Sequence, residues 1–203
     1  MLKDRFRKFL PVVVDLETGG FDAEKNAILE IAIQLLDYEN DRIILGNSIR
    51  YHINPPTELK INKESLDFLK LDLNHPLRVA VDELSAIKEC FKIINQHRNK
   101  YECSRAILVG HNAFFDHSFL LAACARNGIK KSPFHPFSLI DTVSLGVLAT
   151  RQTVLAKVCK ELGIAYDNDE AHSAAYDAKV TAEVFCSIIN TFDAVQNSSV
   201  SSE

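Results

Sequence analysis

The run Pro11-Val-Val-Val-Asp15-Leu-Glu17 places two carboxylates where an apolar strand would be expected. Side chains alternate across a strand, so Val13, Asp15 and Glu17 share one face while Val12, Val14 and Leu16 share the other. Two acids adjacent on one face repel each other and lose hydration. A divalent cation would neutralise both, and Mg²⁺ characteristically takes one or two carboxylates together with phosphate oxygens and water. Taken alone, the pair is equally readable as a strand end emerging into solvent.

Two further acids and a histidine weigh against the solvent reading. Asp116 follows the compact apolar run Ala106-Ile-Leu-Val-Gly110, at the carboxyl end where open α/β sheets put their ligands. Asp177 lies five residues after His172 in AHSAAYDAKVTA. Singly, Asp116 reads as a helix-start acid, Asp177 as part of a solvated helical face and His172 as a surface residue beside the Ser173 cap. Together, four acids and one histidine at strand ends and helix starts can hold two divalent ions and supply a base.

The elements that must position them follow from hydrophobic pattern. Pro11–Glu17, Ala27–Leu36, Ile43–Ile53 and Ala106–Gly110 read as strands, the first three joined by short links that favour antiparallel pairing. Helices are expected over Ser65–Leu71, Val81–Gln96, Asp116–Arg126, Asp141–Ala149, Thr153–Leu162 and Ser173–Asn190. Antiparallel strands followed by strand–helix units imply an α/β domain with a mixed sheet. The chain divides into a basic arm over 1–10, a main domain over 11–192 and a polar tail, expected to be disordered, over 193–203.

The chain has 203 residues, 47% of them hydrophobic and 25% charged, so it is neither fibrous nor wholly disordered. Its formal charge of -4 excludes a protein that coats nucleic acid along its whole surface. Five widely spaced cysteines without a C-x-x-C suit reduced thiols better than a disulfide framework or zinc site. The charged N-terminal segment has no apolar core of a secretory signal, and no apolar run is long enough to span a bilayer. A cytoplasmic protein without membrane contact is the expectation.

The ordered set V-V-D-L-E-T, H-N-x-x-F-D-H-x-F and H-S-A-x-Y-D resembles the motifs of the DEDDh 3′→5′ exonucleases. Within them, DRFR-x-F, HNAFFDHSF, PFHPF…DT and QTVL-x-K-x-C are similar to the ribonuclease T family, from about Asp4 to Asn190. The resemblance implies a ribonuclease H-like mixed sheet of five strands, three antiparallel and then parallel ones, flanked by helices. It implies that Asp15, Glu17, Asp116 and Asp177 hold two Mg²⁺ per subunit, with Mn²⁺ able to substitute, and that His172 is the general base. Asp15 would bridge both ions.

The same resemblance assigns Phe21, Phe68, Phe115 and Phe137 to stacking on the last 3′ bases and Glu64 to the terminal base. Phe114 has no assignment beyond packing. It implies a homodimer in which a basic patch guides nucleic acid toward the partner's site, matched by Arg5, Arg7, Arg105 and Lys130. Asn99 stands where another basic residue is expected, with Lys100 beside it.

The implied activity is trimming of single-stranded 3′ ends of tRNA, ribosomal RNA precursors and other stable RNAs, and of single-stranded DNA, with release of 5′-mononucleotides. The alternatives are another DEDDh exonuclease (a proofreading subunit or an oligoribonuclease), a non-catalytic nucleic-acid-binding homologue, or a structural partner using its dimer surface alone.

Overall fold

The structure, a computed structural model, describes residues 1–200, with side chains to residue 198. Its centre is β1 (Phe9–Thr18), whose Leu10, Val12, Val13 and Val14 are fully buried. β1 pairs antiparallel with β2 (Ile28–Glu39), which pairs antiparallel with β3 (Arg42–Asn54). On its other side β1 pairs parallel with β5 (Arg105–Gly110), and β5 in turn with β6 (Phe134–Asp141). The mixed α/β sheet is the expected one, but it has six strands rather than five, in the order β4-β3-β2-β1-β5-β6.

The additional strand is β4 (Ala80–Asp82), three residues parallel to the outer edge of β3. Val81 reads as the first residue of a helix in the sequence, yet that helix, α3 (Glu83–Lys100), begins after Asp82, whose side chain accepts from the Ser85 amide. This is the local cap preference at work. β6 is hidden in sequence by Pro133 and Pro136, which an edge strand tolerates because one side of its backbone has no partner.

Ile28 to Leu36 are all buried, which explains why β2 reads as a continuous apolar run. Such runs belong to strands covered on both faces. Two polar side chains interrupt it: Gln34, which donates to the Gly46 carbonyl at 2.7 Å, and Glu30.

Helix α7 (Ala174–Val200) packs across β1, β2 and β3, while α4 (Ala113–Arg126) packs on β5, β6 and β1. α5 (Thr142–Thr150) and α6 (Leu155–Leu162) rest on α7, and Val158, Val180, Val184 and Ile188 form a second small core there. The polar stretch from 193 continues α7 to Val200, and residues 201–203 lie outside the described residues.

The basic arm is docked onto the domain. It forms α1 (Leu2–Arg5), buries Leu2 completely and stacks Phe6 on Phe185 of α7. Arg5 Nε donates to Asp193 Oδ1 at 2.7 Å. All five cysteines are buried and unbridged.

Candidate active site

The acids of β1 meet α7 where its first turn crosses the sheet. Asp15, Glu17 and Asp177 each present an oxygen, and the three atoms lie within 4.8 Å of one another. His172 adopts a left-handed backbone (φ 67°) just before α7, and its amide donates to Asp177 Oδ2 at 3.0 Å. That bond uses one oxygen of Asp177. The other, Oδ1, is buried and has no hydrogen-bond partner. An all-carboxylate donor set with an orphaned oxygen suits a hard divalent cation such as Mg²⁺ or Mn²⁺.

Asp116 reaches the trio from α4, as the strongest like-charge neighbour of Asp15. It sits in the first turn of α4, 4% exposed, and its Oδ1 accepts from the Leu16 amide at 2.9 Å. The bond ties α4 to the strand segment between the two β1 acids. Gly110 permits the approach: a Cβ there would lie 3.0 Å from Ala113 Cα and 3.4 Å from Asp116 Oδ2. Asp141 completes the support, its carboxylate accepting from the amides of Asn112, Ala113 and Val143 at 3.3, 3.0 and 2.8 Å.

These contacts set the electrostatics. Burial raises the Asp15 carboxyl well above the ordinary range, with Asp116, Glu17, Asp177 and Glu30 adding like-charge repulsion. Glu17 is pushed up to about 8 by burial and then by Asp177, Glu30 and Asp116. Burial also lifts Asp116 to about 8, against the lowering effect of the Leu16 amide. Asp177 is raised by burial and partly relieved by His172. Strongly raised carboxylates converging in one place are the signature of a site built for positive charge.

Beside the acids opens a cavity of about 360 Å³ lined by Leu16, Glu17, Phe21, Glu64, Phe68 and Phe115. Glu64 and Phe68 come from α2 (Lys63–Leu69). Phe21 is 89% exposed and meets Phe115 edge-on, with centroids 6.3 Å apart. Phe68 reaches His172, 4.3 Å between ring centroids. Four of the five expected base-contacting residues therefore share one wall with Glu17. Phe137 does not line this cavity: it is exposed on β6 with its ring 4.5 Å from His135. Phe114, read as a packing residue, is 74% exposed.

The basic residues fall in two neighbouring places. Arg105 and Lys130 line a groove of about 710 Å³ that also holds Arg98 and Lys131 and no acid. Arg5 and Arg7 belong to the arm, which joins that region where the Lys8 carbonyl accepts from the Ser104 amide at 2.7 Å. Asn99 accepts from Arg98 Nη2 at 3.2 Å.

Sequence reasoning passed over Asp141, His111 and Glu30. Asp141 carries no sign beyond a helix-start acid. His111 bridges Thr142 Oγ1 and the Thr153 carbonyl, both at 2.9 Å, which joins three segments at the head of α4. Glu30 had a readable signal, an acid inside the otherwise apolar AILEIAIQLL.

Residues 12–185 match the exonuclease family represented by ribonuclease T. The chain is 48% identical over 190 residues to ribonuclease T of Wigglesworthia glossinidia brevipalpis, covering 93% of this chain and 88% of that protein. It is 47% identical to ribonuclease T of Vibrio cholerae serotype O1, covering 96% and 88%. Among solved structures, Escherichia coli exonuclease I in complex with a dT13 oligonucleotide superposes with a TM-score of 0.69 at 16% identity. That likeness covers 90% of this chain but only 41% of exonuclease I, and it speaks for the fold. Nearly full-length identity to ribonuclease T, over a domain that brings the acids together, places the chain in the ribonuclease T family as a 3′→5′ exonuclease of that type.

Proposed function

We propose that this protein is a Mg²⁺-dependent exoribonuclease that removes nucleotides one at a time from single-stranded 3′ ends of tRNA, ribosomal RNA precursors and other structured RNAs. Single-stranded DNA is a second substrate. The observation that carries this reading is the shared wall: Glu17 belongs both to the acidic trio and to the aromatic cavity. A terminal nucleotide stacked in that cavity has its phosphodiester next to the acids.

Asp15, Glu17, Asp177 and Asp116 would hold two divalent ions, Mg²⁺ or Mn²⁺. When bound, the pair supplies charge stabilisation for the attacking and leaving oxygens of an in-line displacement. The remaining work falls to the protein. Asp177 holds the His172 backbone through its Oδ2, which places the imidazole beside the acids to accept the proton of the attacking water. Phe21, Phe68 and Phe115 stack on the last bases, each stack contributing about 1–3 kcal/mol without demanding one base identity. Glu64 contacts the terminal base, and Phe137 extends the stacking surface outside the cavity. The products are a 5′-mononucleotide and an RNA shortened by one residue.

Arg105 and Lys130, with Arg5 and Arg7 at the arm, form a basic surface for the body of the RNA, and in a homodimer each surface serves the partner's site. Among the described residues no helix is long and apolar enough to cross a membrane, and a cytoplasmic location agrees with five reduced cysteines.

One assay tests the reading: tRNA, a stem with a short 3′ overhang, single-stranded DNA and a dinucleotide, each with Mg²⁺. Release of 5′-mononucleotides from the first three, with the duplex stem left intact, is the expected result. Internal fragments, or activity on the dinucleotide alone, would overturn it.

A further inference from the structure

Glu30 lies one strand away from the acidic centre and no step of the mechanism uses it. In the β1–β2 register Glu17 stands directly opposite Glu30, and in the β2–β3 register Glu30 stands opposite His52. Residues opposite each other in antiparallel strands share a face with Cβ atoms about 4.5–5.5 Å apart, and like charges in that relation destabilise the sheet. Here both members are carboxylates, and Glu30 is only 5% exposed.

The basic side chains near Glu30 make no hydrogen bond to it, and His52 Nδ1 is itself buried without a partner. His52 Nδ1 lies 3.3 Å from Oε2, and Arg50 Nε lies 4.0 Å from Oε1, beyond hydrogen-bond range. Arg78 donates to the carbonyls of Leu29 and Ile53 instead. Oε1 is left buried with no donor at all. A buried carboxylate oxygen without a partner is costly, and in native proteins it points to an ion or an ordered water.

We propose that Glu30 is a positioning residue of the metal centre: opposite Glu17 in the register, and with Oε1 buried and lacking a donor, it holds the hydration shell of the cation beside Glu17 and so tightens binding of that cation. The proposal rests on the acidic trio being a metal site, and it deepens that reading. Outer partners of this kind alter metal affinity by about 10–100-fold when lost.

The experiment measures Mn²⁺ binding to the full chain by titration calorimetry and by the metal-induced rise in melting temperature. The variants are Glu30→Gln, which keeps shape and removes charge, and Glu30→Asp, which keeps charge and withdraws the oxygen. Affinity is expected to fall at least about fivefold in Glu30→Gln, with Glu30→Asp between it and the wild type. The Mg²⁺ concentration for half-maximal nucleotide release should rise in the same order. Mn²⁺ affinity within twofold of wild type, in whichever variant folds, overturns the proposal, since a purely structural Glu30 would lower stability and leave metal affinity alone. A wild type that shows neither heat nor stabilisation with Mn²⁺ would instead defeat the metal-site reading itself.

Discussion

The Phe68 ring rests against the His172 ring, 4.3 Å between centroids, so a residue of the base-binding wall touches the proposed general base. The proposed stacking and proton-transfer roles therefore meet in one contact. Phe68→Ala removes a stacking surface worth about 1–3 kcal/mol per base and also a wall of the imidazole. KM for a single-stranded end should rise and kcat should fall together. Steady-state kinetics with a short oligonucleotide check this, and a rise in KM alone would show that Phe68 does not act on His172.

His172→Ala leaves the acids intact and removes the proton acceptor. Nucleotide release should fall by about 10²–10⁴-fold, the usual contribution of a positioned base, while Mn²⁺ affinity stays near wild type. Asp15→Ala should abolish both. Pairing calorimetry with a radiolabelled release assay separates the two roles.

The raised carboxyls make the metal-free protein pH-sensitive. Glu17 sits at about 8 in the folded chain against 4.5 ordinarily, so between those values the folded state holds a proton the unfolded state has released. Stability from this group is then full below about pH 4.5, falls as pH rises and is lost above about 8. In EDTA the melting temperature should decline across that window beyond what a Glu17→Gln variant shows. Added Mn²⁺ should restore it, most strongly at the alkaline end, because binding displaces those protons. A flat melting profile in EDTA would contradict the electrostatics described above.

Gly110→Ala tests the seam between β5 and α4. The new methyl would meet Ala113 Cα at 3.0 Å, so the first turn of α4, which carries Asp116, must give by a few tenths of an ångström. Overpacking of this kind costs about 1–3 kcal/mol. For a domain of this size each kcal/mol lowers the melting temperature by about 2–4 °C. Activity should fall further than stability, because the displaced element carries Asp116. Differential scanning calorimetry alongside the release assay gives both.

The acids on β1 were legible because two charges in an apolar strand contradict its pattern, and Asp177 because it follows His172 at short range. The anchoring of Asp116 was not, since it depends on one amide, Leu16, presented by a strand distant in sequence. β6 escaped because its prolines mimic a loop, and β4 because three residues carry too little periodicity to register. Phe137 illustrates the limit for aromatics: closeness to Pro-rich sequence marks exposure, but not which wall an exposed ring will join. Glu30 was visible as an anomaly all along, and only the register with Glu17 gave it meaning.

The helix that crosses β1, β2 and β3 also carries Asp177, the last of the acidic trio in chain order. A partly synthesised chain can display Asp15 and Glu17, but it lacks the third ligand and the core that α7 completes. Completing the acidic trio and covering the sheet are therefore one folding event, because both depend on α7.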